Sequence, residues 1–156
     1  MDDFIGHGTF VAGVIAGTDA SCPGMAPDVE MHVFRIFNKA QKAYTSWFLD
    51  AFNYAMYLGV DVINLSIGGP DYGDLPFVDK IDELAASGII VVSAVGNDGP
   101  TWGSVHNPAD QNSVVAVGEW SGVEWCVFRE GVSFISSHRL DCDCVRSSFF
   151  ILSVYM

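Results

Sequence analysis

Basic residues are scarce in this chain. Seven Lys and Arg stand against nineteen Asp and Glu, a net charge of −12 over 156 residues. That sign argues against nucleic acid and anionic membrane surfaces as partners. Long apolar runs are also missing. A membrane-spanning helix needs about 20 consecutive apolar residues, and the closing run at residues 149–156 is far shorter, so no membrane insertion by this chain is expected. The opening Met1-Asp2-Asp3 has neither the basic nor the apolar region of a secretory leader, and none is expected here. Cysteines are few and poorly spaced for metal. Cys22, Cys126, Cys142 and Cys144 contain one lone C-x-C pair, so neither a metal site nor a disulfide scaffold is expected. No G-x-G-x-x-G follows a strand and no G-x-x-x-x-G-K-[ST] occurs, which removes the main grounds for dinucleotide or nucleoside triphosphate binding. No cofactor is expected.

What is present is apolar sequence in short, well-punctuated segments. Half the residues are hydrophobic (50%), enough for one domain with a sizeable core. Residues 9–16 read as a helix of small and apolar residues. Residues 29–37 alternate apolar and polar, the period of a strand with one buried face, and His32 falls on the polar set. Residues 38–43 read as loop or exposed edge strand. Thr45 suits an N-cap, residues 46–58 carry an apolar stripe on Phe48, Leu49, Phe52, Ala55 and Met56, and Gly59 suits the stop. Residues 60–67 form the next strand. Asp74, Leu75 and Pro76 open another helix, with Phe77, Ile81, Leu84 and Ala85 as its buried stripe. Residues 89–95 are almost wholly apolar, as in a strand covered on both faces. A last short strand is expected at residues 113–118. Strand–helix–strand–helix–strand predicts an α/β fold with an open parallel sheet and right-handed crossovers.

Ligands of such sheets bind beyond the carboxyl ends of the strands. Two glycine-rich stretches fall there: Ser66-Ile67-Gly68-Gly69 and Gly96-Asn97-Asp98-Gly99. A third feature is Gly6-His7-Gly8, which opens the first helix. A helix N-terminus disfavours imidazolium, so His7 suits a general base. The Asn97 amide can donate to a developing oxyanion. The unencumbered backbone of Ser66, Ile67, Gly68 and Gly69 can take an extended peptide as an added strand. Together these point to acyl transfer on a peptide. Each piece alone also has a structural explanation: a capping histidine, an ordinary turn, an ordinary strand exit.

These three stretches resemble those of the subtilisin-like serine proteases, the subtilases. The similar strings are residues 7–13 (HGTFVAG), 64–70 (NLSIGGP) and 93–100 (SAVGNDGP), in the same order and at similar gaps. Residues 44–55 and 107–111 resemble the site-one protease branch of that family. The resemblance covers residues 3–118. It implies a partial subtilisin-like three-layer domain with helices on both faces of the sheet, truncated at both ends. It further implies a serine endopeptidase with His7 as general base and Asn97 in the oxyanion hole. Ser66, Ile67, Gly68 and Gly69 would line the substrate strand, residues 39–43 its opposite edge, and Gly96 the wall beside the side chain at the cut. The implied substrates are secretory-pathway or membrane-bound precursor proteins with a basic residue before the cut, met by Asp71 and Asp74. The implied location is the endoplasmic reticulum or Golgi.

A subtilase also needs an aspartate to orient the histidine and a serine to attack. Asp2 and Asp3 lie too near His7 in sequence to match the family's aspartate. No G-T-S-x-A-x-P string occurs; Ser133, Ser136, Ser137, Ser147 and Ser148 all lack that context. The chain by itself is therefore expected to be inactive. The reading from a different class is a non-catalytic peptide-binding module that keeps the cleft. Residues 119–156 match neither the family nor a clear fold and are expected to be a poorly ordered, unrelated tail, with short strands conceivable at 132–135 and 149–154. A third reading is that a partial domain does not fold at all, which would leave the Phe48/Phe52 and Phe77/Ile81/Leu84 stripes partly exposed.

Overall fold

The computed structural model describes residues 3–118 and 151–155. The elements are α1 (His7–Ala16), β1 (Met31–Arg35), α2 (Thr45–Leu58), β2 (Val62–Leu65), α3 (Leu75–Ala86), β3 (Ile90–Ala94), β4 (Val114–Val117) and β5 (Ile151–Tyr155). The strands form one parallel sheet in the order β1-β5-β2-β3-β4. The α/β class and parallel sheet are as expected. Residues 151–155, placed by the sequence in the tail, form β5 and fill the gap between β1 and β2, with Ser153 level with Val33 and Asn64. The short strand conceived at residues 132–135 lies outside the described residues.

The crossovers through α2 and α3 run the same way along the sheet, so both helices lie on one face and pack together. The core sits beneath them. Phe52, Ala55, Ile81 and Leu84 from the helices meet Ile63, Leu65 and Val91 from the strands, all buried. Phe48, Phe52 and Phe77 form a triangle of rings with centroids 5.4 to 6.2 Å apart. These stripes are therefore buried, apart from a half-buried Phe48, and not exposed as in a chain that fails to fold. The sheet's other face is thinner. α1 contributes nothing to this core and packs instead on β5. Ile90 of β3 is 51% exposed while Val91 and Ser93 are buried. β3 thus alternates, and its apolar run does not mean cover on both faces.

Local chemistry sets the element ends. α2 begins at Thr45, after an extended Tyr44, and its hydroxyl donates to Asp74 rather than capping its own helix. Gly59 ends α2 at φ 67°, a left-handed position that favours glycine. Asp74 caps α3 by accepting from the Phe77 N–H at 3.4 Å, and Pro76 sits in the first turn. β1 starts later than expected because Val29 N–H turns back to the Ala26 carbonyl at 3.3 Å.

α1 begins at His7, two residues earlier than expected, behind Gly6 at φ 84°. Its cap comes from Asp3. That carboxylate accepts from Ile5 N–H (3.2 Å), Gly6 N–H (2.8 Å), Thr9 N–H (2.9 Å) and the Thr9 hydroxyl (2.7 Å). The Thr9 hydroxyl above all, then the Thr9 and Gly6 amides, pull the Asp3 pKa down to about 2.

Two outcomes follow. Phe52 is fully buried, so Phe52→Ala should cost about 3–5 kcal/mol, read by urea unfolding. The folded pKa of Asp3 lies below its ordinary 3.8. The cap therefore acts fully above about pH 4 and is lost as pH falls through about 2. Amide exchange at Gly6 and Thr9 should rise over that window, and Asp3→Ala should show the raised exchange at pH 7.

Candidate active site at the ends of β2 and β3

β2 and β3 pair in register, Leu65 level with Ser93. Beyond those residues the two chains part, and the site is built in the opening. Leaving β2, residues 66–69 run on as a short extension. Ser66 is half-buried, and its hydroxyl accepts from the Asn64 amide at 2.9 Å. Ile67 turns into the core at 6% exposure. Gly69 exchanges both backbone hydrogen bonds with Asn107, at 3.2 and 2.9 Å. Backbone groups in an extended chain alternate sides. Gly69 and Ile67, whose carbonyl is 3.5 Å from the Ser93 hydroxyl, face β3. Ser66 and Gly68 then face the other way, along an edge that β5 pairs only as far as Asn64.

Leaving β3, Gly96 takes φ 101° and starts a turn that carries an exposed Asn97. No side-chain hydrogen bond ties Asn97 among the described contacts. Its neighbour Asp98 is tied: one carboxylate oxygen lies 2.6 Å from His106 Nε2. Residues 105–108 fill the wedge between the two strand exits. His106 N–H donates to the Val95 carbonyl and Asn107 N–H to that of Gly69, each at 2.9 Å. The buried Asn107 side chain donates to the Asp71 carbonyl at 2.8 Å and accepts from Gln111 at 2.7 Å. The Tyr72 hydroxyl closes the wedge on the Val105 carbonyl at 2.8 Å.

Beside Gly68 and Gly69 lies a cavity of about 220 Å³. Phe37, Phe48 and Phe77 give it an apolar wall, and Asp71 and Asp74 stand on its rim. The two carboxylates differ. Asp74 is committed to Thr45 and to the α3 cap, whereas the exposed Asp71 carboxylate makes no hydrogen bond among the described residues. The expected opposite edge, residues 39–43, is a tight turn rather than a strand. Asn38 Oδ1 accepts from Ala40 and Lys42 N–H at 2.9 and 3.1 Å, and Gln41 takes φ 55°. Ala43 alone of that segment lines the cavity.

His7 opens α1, half-buried, with its Nδ1 buried and without a hydrogen-bond partner. Asp3 is spent on the α1 cap and does not orient this ring. Among the described residues no group of three or more His, Cys, Asp or Glu is placed to hold a metal. No helix there is long and apolar enough to cross a membrane. Sequence reasoning passed over His106, Asp98 and Asn107 as a unit. Their one local signal was Asn107-Pro108, a proline-marked turn between two strands.

The subtilase family's sequence profile matches residues 1–142. A subtilisin-like protease of Arabidopsis thaliana, SBT6.1, is 63% identical over 118 residues, 76% of this chain and 11% of that protein. The human membrane-bound transcription factor site-1 protease is 62% identical over 140 residues, 90% of this chain and 13% of that protein. The chain thus spans a small part of the length of these relatives. Among solved structures, the prenylagaramide maturation protease PagA superposes with a TM-score of 0.62 at 27% identity, covering 74% of this chain and 43% of that one. The chain belongs to the subtilase family of serine proteases.

Proposed function

We propose that these residues form the histidine-bearing and peptide-binding part of a serine endopeptidase. In this reading His7 is the general base, its Nδ1 the atom an orienting carboxylate would occupy. Asn97 donates its amide to the oxyanion of the tetrahedral intermediate. The peptide pairs as an added strand with the edge of Ser66 and Gly68, Ile67 anchors that edge in the core, and Gly69 fixes its end on Asn107. Gly96 forms part of the wall beside the side chain at the cut. The observation that carries this is the bare glycine edge at the end of β2, held open by Asn107, in a chain of this family.

The substrate side follows from charge. The cavity beside Gly68 has an apolar wall and one uncommitted carboxylate, Asp71, on a chain of net charge −12. A basic residue a few positions before the cut suits it, with the side-chain stem on the phenylalanines and the charge at Asp71. The site-1 protease likeness supports secretory-pathway precursors as substrates and the endoplasmic reticulum or Golgi as the location. No serine of this sequence sits in the family's G-T-S-x-A-x-P context. Loss of the serine of a triad costs about 10⁶-fold in kcat, so the 156 residues alone bind peptide without cleaving it.

A fluorophosphonate probe should leave the chain unlabelled, and covalent labelling of any serine would overturn its inactivity. Calorimetry with an extended peptide should show binding that weakens about two- to fivefold when its basic residue becomes Gln, as for an exposed ion pair. Asp71→Asn should abolish that difference. Equal binding of both peptides by the unaltered chain would reject the basic preference.

A further inference from the structure

β5 is held differently from the other strands. It pairs on both sides, with β1 from Met31↔Ile151 to Arg35↔Tyr155 and with β2 from Val62↔Ile151 to Asn64↔Ser153. β1 and β2 do not pair with each other. They therefore form the walls of a slot one strand wide, and α2 is the connection between them. Left empty, the slot would present two facing rows of unpaired N–H and C=O groups. It would also unseat α1, the helix that carries His7, because α1 rests on β5. The strand that fills the slot comes from far along the chain. Residues 118–150 separate it from β4, and a chain of that length reaches up to about 110 Å. Its composition suits pairing with another chain. Residues 147–156 (SSFFILSVYM) contain no charge, no proline and no glycine, and are rich in β-branched and aromatic residues.

We propose that this slot is a binding site for a second copy of the chain: two copies exchange β5, each filling the gap between β1 and β2 of the other. The inference does not depend on the peptide-cleft reading. The ladder of β5 is made with β1 and β2, so the same ladder forms whether the strand comes from its own chain or from a partner. Only the connection differs. Filling the slot from within closes a loop through residues 118–150, at a cost in chain entropy. Filling it from a partner costs freedom of association, which concentration offsets. The order of assembly favours exchange. β1, α2 and β2 are neighbours in sequence and build the slot from local contacts. β5 must return from beyond β4, past β3 and β2. A slot built early and filled late is open to the strand of any copy. The exchange also closes on itself, since each copy gives one strand and receives one, which makes a two-fold dimer. Charge opposes it, because two chains of net −12 repel, yet the exchanged segment brings no charge into the slot. In the dimer, α1 and His7 of each copy are seated on the partner's strand.

Cross-linking in register tests this. Val33, Ser153 and Asn64 lie level on β1, β5 and β2. Level residues on neighbouring strands are close enough for a disulfide, and residues two places out of register are not. The full chain, with Cys22, Cys126, Cys142 and Cys144 replaced by serine, is co-expressed in two differently tagged versions, one carrying Val33→Cys and the other Ser153→Cys. Oxidation should link the two versions into a pair bearing both tags. Light scattering of the unlinked chain should give twice the 16.9 kDa of one copy. Met31→Cys in place of Val33→Cys should lose the link. Asn64→Cys with Ser153→Cys repeats the test from the β2 side, and covers a Val33→Cys chain that does not fold. A link formed only inside a monomer that carries both Val33→Cys and Ser153→Cys overturns the proposal. So does a pair linked equally well through Met31→Cys, which would report chance contact, and so does the absence of a link in every version, which would mean that residues 151–155 do not occupy the slot.

Discussion

The wedge of residues 105–108 is the constraint on which the site depends. A parallel pair of strands would close on itself if its two chains continued in register. Here β2 and β3 part, and the paired hydrogen bonds between Gly69 and Asn107 keep them apart. Asn107 is buried and fully engaged, through its backbone with Gly69 and through its side chain with Asp71 and Gln111. An unpaired amide at such a position costs roughly 1–3 kcal/mol, so the network favours one arrangement of the wedge. That arrangement presents the Ser66–Gly68 edge outward and lays the His106 ring against Gly96.

The core stands behind this wedge on one face of the sheet. The Phe48, Phe52 and Phe77 rings lock α2 to α3 above Ile63 and Leu65. Phe48 and Phe77 also form, with Phe37, the apolar wall of the cavity beside Gly68. Packing and binding surface are thus one continuous set of side chains. The Thr45–Asp74 hydrogen bond ties the start of α2 to the start of α3 at the rim. It also removes Asp74 from the charges free to meet a ligand, which leaves Asp71 distinct from it.

The opposite face is organised differently. α1 carries His7 but shares none of the main core, and leaves Phe10 and Val14 in solvent at 69% and 51% exposure. It rests on β5, the strand supplied by residues 151–155. Its start is fixed by the Asp3 carboxylate, whose four accepted hydrogen bonds also explain why the nearest acid to His7 does not serve it. His7 and the proposed peptide edge therefore stand on separately supported layers joined through β5.

Much of the fold was legible in the sequence, because periodicity and punctuation report local physics. The apolar stripes of α2 and α3, the stop at Gly59, the Asp74 cap and the β2–β3 strand pair need only near neighbours and one buried face. The glycine-rich exits at Gly68 and Gly96 were also legible, since a strand that ends in glycine in a parallel sheet marks its carboxyl edge. The sequence could not show that Asp3 is a cap, that Thr45 serves another helix, or that residues 151–155 enter the middle of the sheet. Those depend on contacts between parts of the chain far apart in sequence or on a single side chain's reach. The same holds for His106. The Asn107-Pro108 pair beside it marks only a turn, and only tertiary structure brings two strand ends around its imidazole, with Asp98 in contact.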